Sequence, residues 1–123
     1  MTRRVESVLD PDQRRRFEHD GYVVLPGFVP DSLLDTLRIR IDELVSDYAD
    51  GGLPEGAATV FSTTDQTHAQ DDWFLTSADT VRPFFENGAF DDDGTQLVPM
   101  ERALNKLGHA MHDLDPVFDR FSR

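Results

Sequence analysis

The sequence has no cysteine and a single lysine. Without cysteine, disulfides, zinc–thiolate sites and thiol nucleophiles are excluded, and a reducing cytoplasm fits the composition. Long apolar runs are missing too. No stretch approaches the roughly 18 residues of a membrane span, and the segment Met1 to Glu6 has no apolar signal core. A soluble, cytoplasmic protein without a membrane partner is expected. Positive charge is scarce: 12 Lys and Arg stand against 24 Asp and Glu, a formal net charge of −12. So acidic a surface repels polyanions, and nucleic acid is not an expected partner. The run Arg14-Arg15-Arg16 lies in a helical pattern that points its three side chains in different directions, and it reads as a solvated face. A Gly-rich phosphate loop, a Gly-x-Ser-x-Gly elbow, internal repeats and low-complexity segments are also absent.

What remains is an ordinary globular composition. The 123 residues amount to one domain at most, with 38% hydrophobic residues and nine Phe. Asp10-Pro11-Asp12-Gln13 is a helix start: Asp10 can cap free amides, Pro11 suits the first helical position, and Gln13 sits where a capping-box partner reaches back. This helix is expected to run to about Asp20, with Gly21 ending it in the left-handed conformation. Tyr22 to Leu25, rich in β-branched and aromatic residues, predicts a strand closed by Pro26-Gly27. Pro30 and Asp31 open a longer helix to about Tyr48. Along it Leu33, Leu34, Leu37, Ile41, Leu44, Val45 and Tyr48 fall on one stripe at a period of 3.6 residues, whereas Ile39 lies off the stripe. Asp35, Arg38 and Asp42 can pair on the opposite face.

Gly51-Gly52 and Pro54 to Gly56 break the chain into a loop. Beyond it, Val60 to Thr63 predicts a short strand, and Val81 to Glu86 another, in which Pro83 demands an edge position or a bulge. Asp93-Gly94, between Phe90 and Leu97-Val98, is a hairpin turn signal. The apolar spacing of Leu104, Leu107 and Met111 suits a helix, but Gly108 weakens one, and a strand is the preferred reading of this segment. Asp115-Pro116 is a second cap-plus-proline helix start, with Val117, Phe118 and Phe121 opening an apolar face.

Chemistry-bearing residues concentrate in the second half. His109 and His112 could ligate a metal at i, i+3 on a helix with Asp113 or Asp115 nearby, but a strand turns the two rings to opposite faces, so neither is assigned to a metal. Two polar-aromatic segments, Thr63 to Gln66 and Asp71 to Phe74, suit either the rim of a substrate pocket or a capped turn anchored by Trp73 and Phe74. Both readings stand. Among 24 acids, no catalytic carboxylate pair can be singled out, and no catalytic residue is assigned.

Four blocks carry a resemblance. They are Thr59 to His68, Asp71 to Leu75, Arg82 to Glu86, and Asn105 to Asp113 ahead of Asp115-Pro116. Together they resemble the N-terminal part of the phytanoyl-CoA dioxygenase family, non-haem iron(II), 2-oxoglutarate-dependent oxygenases, and the resemblance extends back to Phe17. It implies an α+β architecture: the leading helices and first strands of a double-stranded β-helix (jelly roll), incomplete in this chain, with residues 1–123 forming the N-terminal portion of a single domain. It also implies Fe(II) and 2-oxoglutarate as cofactors of the complete enzyme. Such enzymes hold iron with two His and one carboxylate, which in this family come as His-x-Asp followed by a distant His. None of His19, His68, His109 or His112 has an acid two residues on. The chain by itself is therefore expected to lack the iron site and to be inactive alone.

Lys106 is the residue whose role the resemblance carries over. In the family, the Lys of an Asn-Lys-Ile/Leu-Gly segment lies on a strand and binds 2-oxoglutarate, and Asn105-Lys106-Leu107-Gly108 matches it. An ammonium between apolar Leu104 and Leu107 is costly to bury unless an anion approaches. From the residues alone, a surface Lys whose stem covers the core is the preferred reading; the resemblance turns the preference to the cosubstrate role. The implied activity is hydroxylation of a small-molecule or acyl-CoA-type substrate, with association through unpaired sheet edges possible. The alternatives are a small acidic, non-enzymatic binding module and a truncated or split-gene product.

Overall fold

The computed structural model describes residues 8–54, 57 and 72–123. The expected strand at Val60 to Thr63 and the block Thr59 to His68 lie outside these residues. Two compact units are present, Met1–Pro30 and Asp31–Arg123.

In the first unit, α1 (Pro11–Asp20) forms with the capping its sequence encodes. One carboxylate oxygen of Asp10 accepts the amides of Asp12 and Gln13, each at 2.8 Å, and the Gln13 side chain accepts the Asp10 amide at 2.9 Å. Gly21 closes the helix at φ 79°, its amide bonded to the Phe17 carbonyl. Arg14, Arg15 and Arg16 are all exposed, as the solvated-face reading expects. The strand expected at Tyr22 to Leu25 does not form: the segment is irregular, and Tyr22 and Val24 are exposed. β propensity reflects fit to a paired, half-buried surface, and among the described residues no second edge pairs with this segment. A ten-residue helix is marginal in isolation, so its cap matters. Asp10→Ala is expected to cost α1 about 1 kcal/mol, read as faster amide exchange across residues 11–20 with the second unit unaffected.

The second unit opens with α2 (Asp31–Ala49). Leu34, Leu37, Ile41, Leu44, Val45 and Tyr48 are half-buried along one face; Leu33, expected on the same stripe, is exposed in the first turn, and Ile39, off the stripe, is 60% exposed. Arg38 pairs with Asp35 at 2.9 Å on the solvent side. The helix ends at the glycine pair. Gly51 takes φ 96°, and a Cβ on Gly52 would meet the Asp47 carbonyl oxygen at 2.6 Å, so only glycine lets the chain turn here.

The short α3 (Asp72–Leu75) precedes β1 (Val81–Phe85), which pairs antiparallel with β2 (Leu104–His109). The register sets Val81 opposite His109, Pro83 opposite Leu107 and Phe84 opposite Lys106, and a bulge falls between Phe84 and Phe85. Among the described residues the sheet has two strands, so Pro83 stands on an edge strand as its missing N–H requires. Between the strands Asp93-Gly94 turns as expected. Gly94 is at φ 80°, the Asp91 carboxylate accepts the Asp93 and Thr95 amides, and Phe90 bridges Gln96. The preference for a strand over a helix at Leu104 to His109 is borne out. Two single-turn helices on either side of it, α4 (Met100–Ala103) and α5 (Met111–Leu114), were not foreseen.

Asp115 caps the final helix, α6 (Pro116–Ser122), by accepting the Val117 and Phe118 amides at 3.0 and 3.3 Å. The same carboxylate takes the Arg40 guanidinium at 2.7 Å and so ties α6 to α2. The core gathers Phe85, Ala57, Ala89, Met100 and Ala103, with Val45, Tyr48 and Trp73 packed around it. The small residues let the strand and helices approach a single large ring. The fold is α+β, with helices against a small antiparallel sheet.

Candidate functional site

The site forms where α3 folds over β1 and the end of β2. Two contacts of neighbouring side chains fix α3 there. The Trp73 indole N–H donates to the Pro83 carbonyl at 3.1 Å, and Arg82 stacks on the Trp73 ring 4.7 Å from its centroid while donating to the Trp73 carbonyl and the Thr76 hydroxyl, both at 2.8 Å. A buried ring N–H needs such a partner. Clamped this way, α3 lays Phe74 edge-on against the fully buried Phe84, with centroids 5.8 Å apart. Trp73 is therefore an anchor, whereas Phe74 also lines a cavity of about 360 Å³ with Leu75, Ser77, Ala78 and His109. Both aromatics thus meet the anchor reading of this segment, while Thr63 to Gln66 and Asp71 lie outside the described residues.

Lys106 lies opposite Phe84 in the strand register, and its ammonium sits 4.8 Å from the Phe84 centroid and 5.0 Å from that of Phe74. Aromatic faces attract a cation through their quadrupole. Its Nζ is 3.4 Å from His109 Nε2. Burial pushes the Lys106 ammonium below its ordinary pKa, because a low-dielectric surrounding penalises the charged form.

On its other side, His109 Nδ1 lies 2.8 Å from the hydroxyl of Ser77, a fully buried residue whose Oγ is 2.6 Å from the Phe74 carbonyl. The imidazole also packs edge-on against Phe74 and tilted against Phe84, at 5.5 and 5.7 Å. Lys106, Phe74, Phe84, His109 and Ser77 thus form one connected cluster, drawn from three segments.

The sequence singled out Lys106 but not its surroundings. Strand alternation sends residues i and i+3 to opposite faces, which argues against Lys106 meeting His109. The pair meets because alternation does not hold at the end of β2: the His109 ring packs on Phe84, the same ring that the Lys106 ammonium faces. Ser77 carries no local signal at all. His112 lies beyond β2 on α5 next to Asp113 (3.3 Å), and His19 is exposed beside Asp20 (2.6 Å). Among the described residues no group of three or more His, Cys, Asp or Glu could hold a metal ion, and no helix is long and apolar enough to cross a membrane.

Comparison with known proteins gives the arrangement a context. No protein-family model matches the chain. It is 45% identical over 114 residues to phytanoyl-CoA dioxygenase domain-containing protein 1 of Bos taurus, and 44% identical over 112 residues to the homologue of that protein in Caenorhabditis elegans. It is 38% identical over 114 residues to a phytanoyl-CoA dioxygenase of Arabidopsis thaliana. These alignments take in 89 to 93% of the chain but about 38% of each relative. The resemblance drawn from the sequence blocks is borne out across animal and plant proteins. The chain spans well under half the length of the curated relatives it matches.

Proposed function

We propose that this chain, kin by sequence to the phytanoyl-CoA dioxygenases over nine tenths of its length, supplies the 2-oxoglutarate-facing part of an Fe(II)- and 2-oxoglutarate-dependent dioxygenase. One observation carries the reading: the chain's single lysine, on the strand segment that matches the family's Asn-Lys-Ile/Leu-Gly pattern, holds its ammonium over Phe74 and Phe84. An ammonium presents only donors, so a carboxylate, charged and acceptor-only, complements it. The partial burial that lowers the Lys106 pKa favours an anion arriving there over bulk water.

The fit differs between the two cofactors. Lys106 fits a carboxylate of 2-oxoglutarate, whereas the described residues offer no ligand set for iron. The chain's own share of the chemistry is to bind and orient the cosubstrate, with Phe74 and Phe84 holding the ammonium in place. Iron, when bound, supplies the oxygen activation. Its ligands would come from the remainder of the family's length, within a jelly-roll domain of which residues 1–123 are the N-terminal portion. The substrate would be a small molecule or an acyl-CoA-type thioester, hydroxylated in the cytoplasm, and among the described residues both strands have an edge open to pairing with further strands.

Lys106→Met tests this directly. In the full protein carrying these residues, calorimetric titration is expected to show 2-oxoglutarate affinity about 10- to 100-fold weaker, the worth of one hydrogen-bonded charge. Unchanged affinity would reject the assignment.

A further inference from the structure

The geometry points to His109 as a positioning residue for Lys106, held in a single tautomer by buried Ser77. This deepens the cosubstrate reading of Lys106 and takes its functional meaning from it. The argument is one of hydrogen-bond polarity. The Ser77 hydroxyl has one proton and two neighbours within reach, the Phe74 carbonyl at 2.6 Å and His109 Nδ1 at 2.8 Å. A carbonyl oxygen can only accept, so the proton goes to Phe74 and the Ser77 oxygen must accept from His109. Nδ1 therefore carries the ring proton of the neutral imidazole, and Nε2 is left with its lone pair.

That lone pair faces Lys106, which can only donate. The sequence Lys106 Nζ–H to His109 Nε2, His109 Nδ1–H to Ser77 Oγ, and Ser77 Oγ–H to the Phe74 carbonyl has one consistent direction, set by the carbonyl at its end. The opposite tautomer would turn an N–H toward the ammonium and leave Ser77 between two acceptors with one proton. At 3.4 Å the link to Lys106 is long, so it aims the ammonium more than it stabilises it. Rotation of the imidazole is opposed by packing on Phe74 and Phe84, the same rings that flank the Lys106 ammonium. One pair of aromatics thus sets the place of both nitrogen groups.

The test uses the full protein with 15N-labelled histidine and lysine. Long-range proton–nitrogen spectra are expected to show His109 protonated at Nδ1, and Ser77→Ala to weaken that preference, so that part of the population carries the proton at Nε2. A wild-type His109 protonated at Nε2 overturns the inference. Two substitutions separate positioning from packing. His109→Phe keeps a ring against Phe74 and Phe84 but loses both nitrogens, whereas His109→Gln keeps a donor for Ser77 and an acceptor for Lys106. Titration with 2-oxoglutarate is expected to show about a tenfold loss for His109→Phe, the size of one modest hydrogen bond, and recovery to within about threefold for His109→Gln. Wild-type affinity in His109→Phe, or no recovery in His109→Gln, also overturns it. If Lys106→Met leaves the affinity unchanged, the cosubstrate reading alone falls. The His109 tautomer and the displacement of the Lys106 Nζ signal, assigned through its loss in Lys106→Met, in His109→Phe then decide whether His109 positions Lys106.

Discussion

Phe85→Ala is expected to lower the unfolding free energy of the second unit by about 3–5 kcal/mol, the range for truncating a fully buried aromatic. Phe85 is 0% exposed and is the largest side chain in its cluster; its other buried members are Ala57, Ala89, Met100 and Ala103. Three alanines cannot collapse into the space a phenyl ring leaves, so a cavity adds to the lost transfer energy. The edge-on contact with Phe90, at 4.8 Å between centroids, goes as well. Domains of this size are stable by only about 5–15 kcal/mol, so the variant should unfold at far lower denaturant concentration than the wild type. The half-exposed Phe118 makes the contrast: an equal loss from Phe118→Ala would show that the Phe85 cluster is not the core.

Asp115→Ala is expected to cost about 2–4 kcal/mol, because it removes two things together: the N-cap of α6 and the buried partner of Arg40. The Asp115 side chain is 5% exposed and that of Arg40 26%. Arg40 keeps Glu43 at 2.9 Å on its more exposed side, which limits the loss. Asp115→Asn divides the effect, since asparagine caps a helix but carries no charge for Arg40, and should fall between wild type and the alanine variant. Chemical denaturation of the three proteins gives this order; an Asp115→Ala variant as stable as wild type would reject the account.

The same group gives stability a pH dependence of definite sign. Burial by itself raises the Asp115 pKa, but hydrogen bonds from Arg40, Phe118 and Val117 and the Arg40 charge outweigh it and hold the carboxyl below the ordinary carboxylate range. A carboxyl lowered by folding contributes stability that is complete above its unfolded value, near 3.9, and is lost as pH falls through the folded one. Acid unfolding below about pH 4 should therefore include an Asp115 component, absent in Asp115→Ala.

The parts of the fold written in local chemistry were legible. Asp10, Pro11 and Gln13 specify α1, Asp115 and Pro116 specify α6, and Asp93-Gly94 specifies a turn, because each works through atoms a few residues apart. The stripe on α2 was legible for a related reason: a 3.6-residue period survives whatever packs on it. Tyr22 to Leu25 shows the limit. Its residues suit a strand, but a strand is a relation between two segments, and propensity names only one of them.

The site divides along the same line. From sequence alone came the identity of the lysine, its place on a strand and its match to a family pattern. These depend only on the short run Asn105 to Gly108 and on Lys106 being the chain's sole lysine. Tertiary structure alone decided what surrounds it. Ser77 and His109 are 32 residues apart in the chain, and Phe74 reaches Lys106 only because the Trp73 and Arg82 clamp closes α3 onto β1. No periodicity or motif encodes such a meeting; it follows from strand register and ring packing, which exist only once the chain has folded.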